Sequence, residues 1–176
     1  MHERKVILYI AMSLDGFIAK PNDDLSFLSI VEKDGEDYGY GAFTATIDTV
    51  IIGRKTYDWV VKAVGSFPHK DTQTYVITLA VKPQEGKITF YNGSLQALVK
   101  DLRSKPGKNI FVDGGAEIVN ELIKDGLIDE FYLSIIPIIL GEGVRLFQEH
   151  GHEQRLRLES LKQFETGLAQ LHYTRI

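Results

Sequence analysis

Apolar residues recur along the chain in short runs, and loops or stretches with helical spacing separate the runs. The runs favour strands over residues 6–11, 48–52, 73–78, 88–91, 109–113 and 130–136. The first run is almost continuously apolar, which is typical of a strand covered on both faces at the centre of a sheet. Residues 155–159 and 168–176 flank Glu165-Thr166-Gly167, and this pattern predicts an antiparallel hairpin.

Helical segments are predicted between most of the strands. One spans about residues 36–47, a second starts near Arg54, a third is capped by Ser94, and a fourth runs from Gly115 to Gly126. Strands therefore alternate with helices until the closing hairpin. This order predicts one α/β domain over residues 1–176, with a mixed sheet of about eight strands.

The two consecutive glycines after the fifth run are a candidate anion site. Gly114-Gly115 follows the apolar strand, and Ile118, Val119, Leu122 and Ile123 then lie on one side of a helix. A turn without side chains lets an anionic group approach the backbone, and the first N–H groups of the helix point at it. The turn is thus a candidate phosphate site; the alternative is a sharp connection with no ligand.

A second glycine turn follows the strand at 48–52. Gly53-Arg54-Lys55-Thr56-Tyr57 places two cations and a hydroxyl at a helix start. Cations there oppose the helix dipole, so a bound anion explains them better than a solvated basic pair does. Asp15-Gly16 follows the first strand, at the sheet edge where ligands sit in open α/β sheets. The alternative for this pair is an ordinary turn.

Composition excludes several classes of function. The chain has 176 residues, no cysteine and a formal charge of −4, and its isoelectric point is near 5.7. The lack of cysteine rules out disulfides and thiolate metal sites, and the charge disfavours nucleic acid as a partner. No apolar run is long enough to span a bilayer. We therefore expect a cytoplasmic protein with a small-molecule substrate and no membrane or nucleic-acid partner.

Four separated motifs carry a resemblance to a known family. They are residues 11–16 (AMSLDG), 52–57 (IGRKTY), 112–115 (VDGG), and 126–130 (GLIDE) continued by Pro137, Gly141 and Leu146-Phe147. Together, in this order and spacing, they resemble the dihydrofolate reductase-like three-layer fold. Within that fold, the chain resembles the reductase domain of riboflavin biosynthesis, and the resemblance covers nearly the whole chain.

The resemblance implies an NADPH-dependent reductase similar to 5-amino-6-(5-phosphoribosylamino)uracil reductase, which transfers hydride to a small pyrimidine-, pterin- or ribosylamine-like substrate. At the nicotinamide, the nucleotide would contact Ala11 and Ile18. At its phosphates, it would contact Gly53, Arg54, Lys55, Thr56, Thr78, Gly114, Gly115, Ala116, Glu117 and Ile118. Arg54 is the expected partner of the 2′-phosphate. Asp15 or Asp37 would orient the substrate or relay a proton, and Ser13, Tyr57 and Ser134 would lie near it.

Other functions stay open at this point. The fold and nucleotide site could persist in a catalytically silent binding protein. A hydrolytic metal site is suggested by His150-Gly151-His152 with Glu149 and Glu153, although no third histidine is close in sequence. No resident metal is expected. Relatives commonly pair through the apolar stretch 131–140, so we expect a homodimer.

Overall fold

The computed structural model describes residues 3–80, 82–149 and 151–176. Strands and helices alternate through most of the chain. In chain order they are β1 (Val6–Ser13), β2 (Phe17–Ala19), α1 (Tyr40–Thr44), β3 (Ile47–Gly53), α2 (Arg54–Val64), β4 (Gln73–Ile77), β5 (Ile88–Tyr91), α3 (Leu95–Arg103), β6 (Asn109–Gly114), α4 (Ala116–Lys124), β7 (Glu130–Ile136), β8 (Val144–Arg145), β9 (Leu156–Gln163) and β10 (Ala169–Arg175). Two 3₁₀ segments, Pro21–Asp23 and Ser26–Val31, lie between β2 and α1.

Eight of the strands form one mixed sheet in the order β5-β4-β3-β6-β1-β7-β10-β9. The first six are parallel, and β10 runs antiparallel to both β7 and β9. The predicted eight-stranded sheet and closing hairpin are confirmed. Strands β2 and β8 form a separate short pair, which was not predicted because so few residues show no periodicity.

The sheet lies between two layers, as the predicted fold requires. Helices α3 and α4 cover one face, where the buried core includes Leu98, Val112 and Leu122. Helices α1 and α2 cover the other face, where the core includes Phe43 and Phe111. Apolar residues of the parallel strands therefore face both layers, which explains why these strands are nearly continuously apolar.

The helix predicted over residues 36–47 is wrong in extent. Helix α1 covers only Tyr40–Thr44, and β3 already begins at Ile47. Gly39 before it has a left-handed backbone with φ 84°, and Ile47 pairs with Asn109 of β6. Strand pairing at one end and a glycine turn at the other thus limit the helix. The strand predicted over 155–159 extends further in the structure than in the prediction, because β9 pairs with β10 as far as Gln163.

The parallel strands bring their carboxyl ends to one edge of the sheet. Strands β1, β3, β6 and β7 all end there, and helices α2 and α4 both start there. In the described part of the chain, no helix is long and apolar enough to cross a membrane. The motifs that the sequence analysis singled out at Asp15, Gly53 and Gly114 therefore meet at a single edge.

Candidate functional site

Two glycine turns lie against each other at this edge. Gly53 precedes α2, and Gly115 precedes α4. A Cβ atom on Gly53 would lie 3.2 Å from Ile118 Cγ1 and 3.4 Å from the Gly115 amide nitrogen. A Cβ atom on Gly115 would lie 2.8 Å from Thr56 Oγ1. Because there is so little room for a side chain, glycine at both positions lets the amino ends of the two helices meet.

Both helix starts offer free backbone donors. In α3, Ser94 Oγ accepts a hydrogen bond from the Ala97 amide at 3.3 Å. Neither α2 nor α4 has such a side-chain cap among the described residues. The first N–H groups of a helix have no partner inside it and lie at the positive end of its dipole. The two adjacent turns thus form a surface suited to an extended anion such as a diphosphate.

Cationic side chains extend this surface toward β4 and β5. Arg54 Nε donates to Asp58 Oδ2 at 2.6 Å, and its guanidinium carbon lies 5.4 Å from the centre of the Phe90 ring. Lys82 Nζ lies 5.4 Å from the same ring. Thr78 directly follows β4 at this end of the sheet. Two cations around one aromatic face are suited to a phosphate carried by an aromatic ligand.

A cavity of about 650 Å³ opens over the carboxyl halves of β1 and β7. Tyr9, Ala11 and Ser134 contribute to its lining from neighbouring strands, since Tyr9 pairs with Tyr132 and Ala11 with Ser134. Ile10, Ile136 and Leu168 also line it. The segment from the second 3₁₀ turn to α1 adds Leu28, Val31, Glu32, Lys33, Asp34, Gly35, Glu36, Asp37, Tyr38 and Tyr40. Polar and charged residues therefore surround the mouth of the cavity.

A neutral hydrogen-bond network lies at the base of the cavity. Gln170 Nε2 donates to the Tyr9 hydroxyl at 2.9 Å and to Ser134 Oγ at 3.2 Å. The Tyr9 hydroxyl donates to the Tyr38 carbonyl at 2.9 Å. Burial raises the pKa of Tyr9, although its hydrogen bond with Gln170 opposes this. Since Ser134 and Gln170 are each 5 % exposed, the network is held rigidly by the sheet.

Aromatic rings form one wall of this region. Tyr9 stacks on Phe43 at a centroid distance of 4.5 Å and meets Tyr40 edge-on at 5.6 Å. The Tyr40 hydroxyl is hydrogen-bonded to His69 Nε2 at 2.9 Å. Burial lowers the pKa of His69, so its imidazole is neutral at neutral pH. Such a wall is suited to a flat ring.

Asp113 lies at the junction between the glycine turns and the cavity. It is the β6 residue before Gly114, and the pairing of Leu8 with Val112 places it next to Tyr9 on the neighbouring strand. Among the described residues its carboxyl has no hydrogen-bond or ion-pair partner. Burial raises the pKa of Asp113 to about 6. Burial, followed by the charge of Asp113, raises the pKa of Tyr40. Asp113 is thus the acid whose pKa suits proton exchange near neutral pH.

The model of the RibD C-terminal domain family matches residues 4–170, which include both glycine turns and the cavity. The chain belongs to this family. The family is related to reductases of riboflavin biosynthesis, and the fold is that of its dihydrofolate reductase-like members.

Three relatives show how far the likeness extends. The uncharacterized protein YwjB of Bacillus subtilis (strain 168) is 44% identical over 174 residues, which are 98% of this chain and 99% of YwjB. The structure of a putative riboflavin biosynthesis protein from Shewanella sp. PV-4 has a TM-score of 0.89 at 30% identity, covering 98% of this chain and 99% of that one. A deaminase/5-amino-6-(5-phosphoribosylamino)uracil reductase from Thermotoga maritima has a TM-score of 0.73 at 15% identity, covering 99% of this chain and 57% of that one.

Asp15, predicted to be catalytic from the resemblance to the reductase domain of riboflavin biosynthesis, has hydrogen-bond partners within the chain. Its carboxylate accepts hydrogen bonds from Ser13 Oγ at 2.6 Å, the Leu140 amide at 3.0 Å and the Gly141 amide at 2.7 Å. The Ser13 hydrogen bond, followed by those from the two amides, lowers the pKa of Asp15 to about 2. An acid held ionised in this way connects two loops and is poorly suited to donate a proton at neutral pH.

Asp37 lies just before α1, and its carboxylate, like that of Asp15, is bound by backbone amides. Its carboxylate accepts from the amides of Gly39 at 2.8 Å and Gly41 at 3.0 Å. These hydrogen bonds lower the pKa of Asp37. Unlike Asp15, Asp37 lines the cavity. It can therefore contribute negative charge to the cavity mouth, but proton donation at neutral pH is disfavoured.

The remaining predicted residues fall into three groups. Ala11 and Ser134 line the cavity. Ser13, Tyr57 and Ile18 do not line it: Ser13 supports the turn at Asp15, Tyr57 packs in the core under α2, and Ile18 packs on the α3–α4 side. The predicted nucleotide residues lie at the two glycine turns or directly after β4: Gly53, Arg54, Lys55, Thr56, Thr78, Gly114, Gly115, Ala116, Glu117 and Ile118. Their contact with a nucleotide stays a prediction.

The hydrolytic alternative gains no support from the described residues. Among them, no group of three or more histidine, cysteine, aspartate or glutamate side chains is placed to hold a metal ion. His150, which suggested that site together with His152, lies outside the described residues.

Sequence reasoning missed Tyr9, Tyr40, Asp113 and Gln170 as site residues. Tyr9 and Asp113 are polar positions inside otherwise apolar strands, Tyr9 in the middle of β1 and Asp113 near the carboxyl end of β6. That combination is a signal that could have identified both residues. Gln170 could not be found in this way, because its role depends on β10 pairing with β7 at Ser134.

Proposed function

We propose that this protein is an NADPH-dependent reductase of a small pyrimidine-, pterin- or ribosylamine-like substrate. The observation that carries the proposal is the pair of uncapped helix starts, at Gly53 and Gly115, beside a cavity with a neutral polar base. Membership of the RibD C-terminal domain family supports it. One activity named among the structural neighbours is that of the Thermotoga maritima reductase.

The residues at the two turns fit nicotinamide adenine dinucleotide phosphate. The glycines at 53 and 115 let the uncapped starts of α2 and α4 lie side by side, so that their free amides would hold the diphosphate. Arg54 with Lys82 would hold the adenosine-side phosphate around Phe90. Ala11 would lie against the nicotinamide, because it is on β1 at the cavity. When bound, the reduced nicotinamide supplies a hydride equivalent to an electrophilic carbon.

The chain itself would orient the substrate and provide the matching proton. Tyr9, Ser134 and Gln170 form a rigid neutral base that positions a flat ring. The proton goes to the substrate atom that shares the reduced double bond, and Asp113 is the donor with a suitable pKa. This assignment replaces Asp15 and Asp37 in the proton step.

The proposal is tested by thermal unfolding with NADPH, with NADH and without nucleotide. A ligand at a hundredfold excess over its Kd adds about 2.7 kcal/mol. For a domain of this size each kcal/mol raises Tm by roughly 2–4 °C. We expect NADPH to raise Tm by roughly 5–10 °C and NADH to raise it less. In Arg54→Ala, the difference between the two nucleotides should largely disappear.

The matched control is Lys62→Ala, which removes a cation from the last turn of the same helix. This variant should keep the full preference for NADPH. If neither nucleotide raises Tm at millimolar concentration, the reductase proposal is overturned. A rise in Tm without NADPH oxidation on pterins, pyrimidines and carbonyl compounds would support the alternative of a catalytically silent binding protein.

We also propose that the protein forms a homodimer. Within residues 131–140, strand β7 is largely buried in the sheet, whereas Ile139 after it is 70 % exposed. Leu14 is 65 % exposed, and its amide donates to the Ile138 carbonyl, so two exposed apolar side chains lie together here. Such a patch is suited to a second copy of the chain. Light scattering at micromolar concentration should report twice the chain mass of 19.8 kDa, and the mass of one chain would overturn this proposal.

A further inference from the structure

The two ends of the site differ in charge. Arg54, Lys55 and Lys82 lie at the nucleotide end, whereas four carboxylates line the mouth of the cavity: Glu32, Asp34, Glu36 and Asp37. Among the described residues that line the cavity, Lys33 is the only cation. Its ammonium group is bound to Glu165 Oε2 at 2.6 Å, so its charge is already compensated.

The usual means of binding a phosphate are missing from the cavity lining. Phosphate groups in proteins are held by arginine or lysine forks or by free amides at helix starts. The described residues of the lining include no arginine. Among the described residues, the one α-helix start beside the cavity is that of α1, and there the Asp37 carboxylate already accepts from the amides of Gly39 and Gly41. The chain's own carboxylate occupies the place that a ligand anion would need.

The base of the cavity nevertheless offers a hydrogen-bond donor to a ligand. Ser134 is 5 % exposed, lines the cavity and accepts from Gln170 Nε2. Its own hydroxyl hydrogen has no acceptor among the described residues. With Tyr9 and Tyr40 beside it, this buried donor is suited to a carbonyl or ring nitrogen of a flat heterocycle.

We infer that the substrate of this cavity is a heterocycle that carries no phosphate and is neutral or cationic. The inference rests on the proposed function and narrows its substrate class. A phosphate at the mouth would face several carboxylates with no free cation to offset them, and like charges brought together oppose binding. The cavity therefore selects against a phosphorylated form of the same heterocycle, which separates this chain from a phosphoribosylaminouracil reductase.

The test compares matched probes by titration calorimetry on the protein without nucleotide. Uridine, cytidine and a hydroxyalkyl pterin are each measured with and without a terminal phosphate. We expect the phosphorylated member of each pair to bind at least about tenfold more weakly at low salt, with a smaller ratio at high salt. Ser134→Ala should weaken both members of a pair by the same factor.

Charge-reversal variants show whether the carboxylates cause the selection. Glu32 and Asp34 are exposed and make no side-chain hydrogen bond or ion pair with the described residues, so Glu32→Lys with Asp34→Lys should fold. In this double variant, the phosphorylated member of each pair should bind less than about threefold more weakly than the unphosphorylated member. The control with the same change in total charge is Glu121→Lys with Asp125→Lys, at exposed positions near the end of α4. It should keep the tenfold ratio.

Failure of this inference can be told from failure of the proposed function. Equal or tighter binding of the phosphorylated probes overturns the inference, whatever the nucleotides do. Failure of every unphosphorylated probe to bind at millimolar concentration also overturns it. Selective binding of unphosphorylated probes without any NADPH-dependent rise in Tm would support the inference and overturn the reductase proposal.

Discussion

Replacing Asp113 by asparagine is expected to stabilise the protein above pH 6 and, at the same time, to lower its turnover by about a hundredfold. Asp113 is a half-buried acid without a partner among the described residues, and burial raises its pKa from 3.8 to about 6. The ionised form therefore costs free energy in the folded state. Each pKa unit corresponds to about 1.4 kcal/mol, so the free energy of unfolding should rise by at most about 3 kcal/mol in Asp113→Asn.

The raised pKa also fixes the direction in which the free energy of unfolding changes with pH. The folded state holds the Asp113 proton more tightly than the unfolded state, so wild-type stability falls as pH rises from about 4 to about 6. Below pH 4 the variant and the wild type should be nearly equally stable, and above pH 6 their difference should be constant. Denaturant unfolding at a series of pH values measures this. The control is Asp125→Asn, because Asp125 is exposed and should show no such window.

Turnover is measured on the same two variants with the substrate found by screening. Loss of kcat in Asp113→Asn with an unchanged NADPH-dependent rise in Tm would support its role in the proton step. Turnover equal to that of the wild type would remove Asp113 from the proton step. Lower stability of the variant above pH 6 would contradict the assignment of a buried unpaired charge.

Gly143→Ala is expected to destabilise the fold by about 3 kcal/mol or more. A Cβ atom there would lie 2.0 Å from the carbonyl oxygen of Ala19, a backbone atom that cannot rotate away. The backbone at Gly143 also has φ +135°, which L side chains rarely adopt. The change would therefore separate β2 from β8, where Ala19 pairs with Val144. Denaturant unfolding of the variant measures the loss.

The matched control for this variant lies two residues earlier in the same loop. Gly141 has φ +79°, but a Cβ atom there meets nothing within 4 Å. Gly141→Ala should therefore cost only about 1 kcal/mol, for the left-handed backbone. Equal losses in the two variants would contradict the close contact with Ala19.

Much of the fold can be predicted from local patterns in the chain. The run at residues 6–11 predicts a central strand, and β1 lies between β6 and β7. The glycines before Arg54 and Ala116 predict helix starts at strand ends, and α2 and α4 begin at those residues. These features depend on the apolar period and on glycine in tight turns, which a few neighbouring residues specify.

The helix predicted over 36–47 shows where local patterns do not suffice. Its spacing favours a helix, yet the Ile47 end is taken by pairing with Asn109, which is distant in the chain. The short β2–β8 pair depends in the same way on a partner in a remote loop. Long-range pairing overrides local preference when the two compete for the same backbone groups.

For the candidate site, the sequence by itself determined the two glycine turns and the cations beside them, because each lies within a few residues of a strand end. Only the tertiary structure decided how readily the acids ionise. The Ser13 hydroxyl, joined by the remote amides of Leu140 and Gly141, lowers the pKa of Asp15, whereas burial without a partner raises the pKa of Asp113. The pKa of a carboxyl depends on which groups the fold brings to it, and the pattern of neighbouring residues does not contain that information.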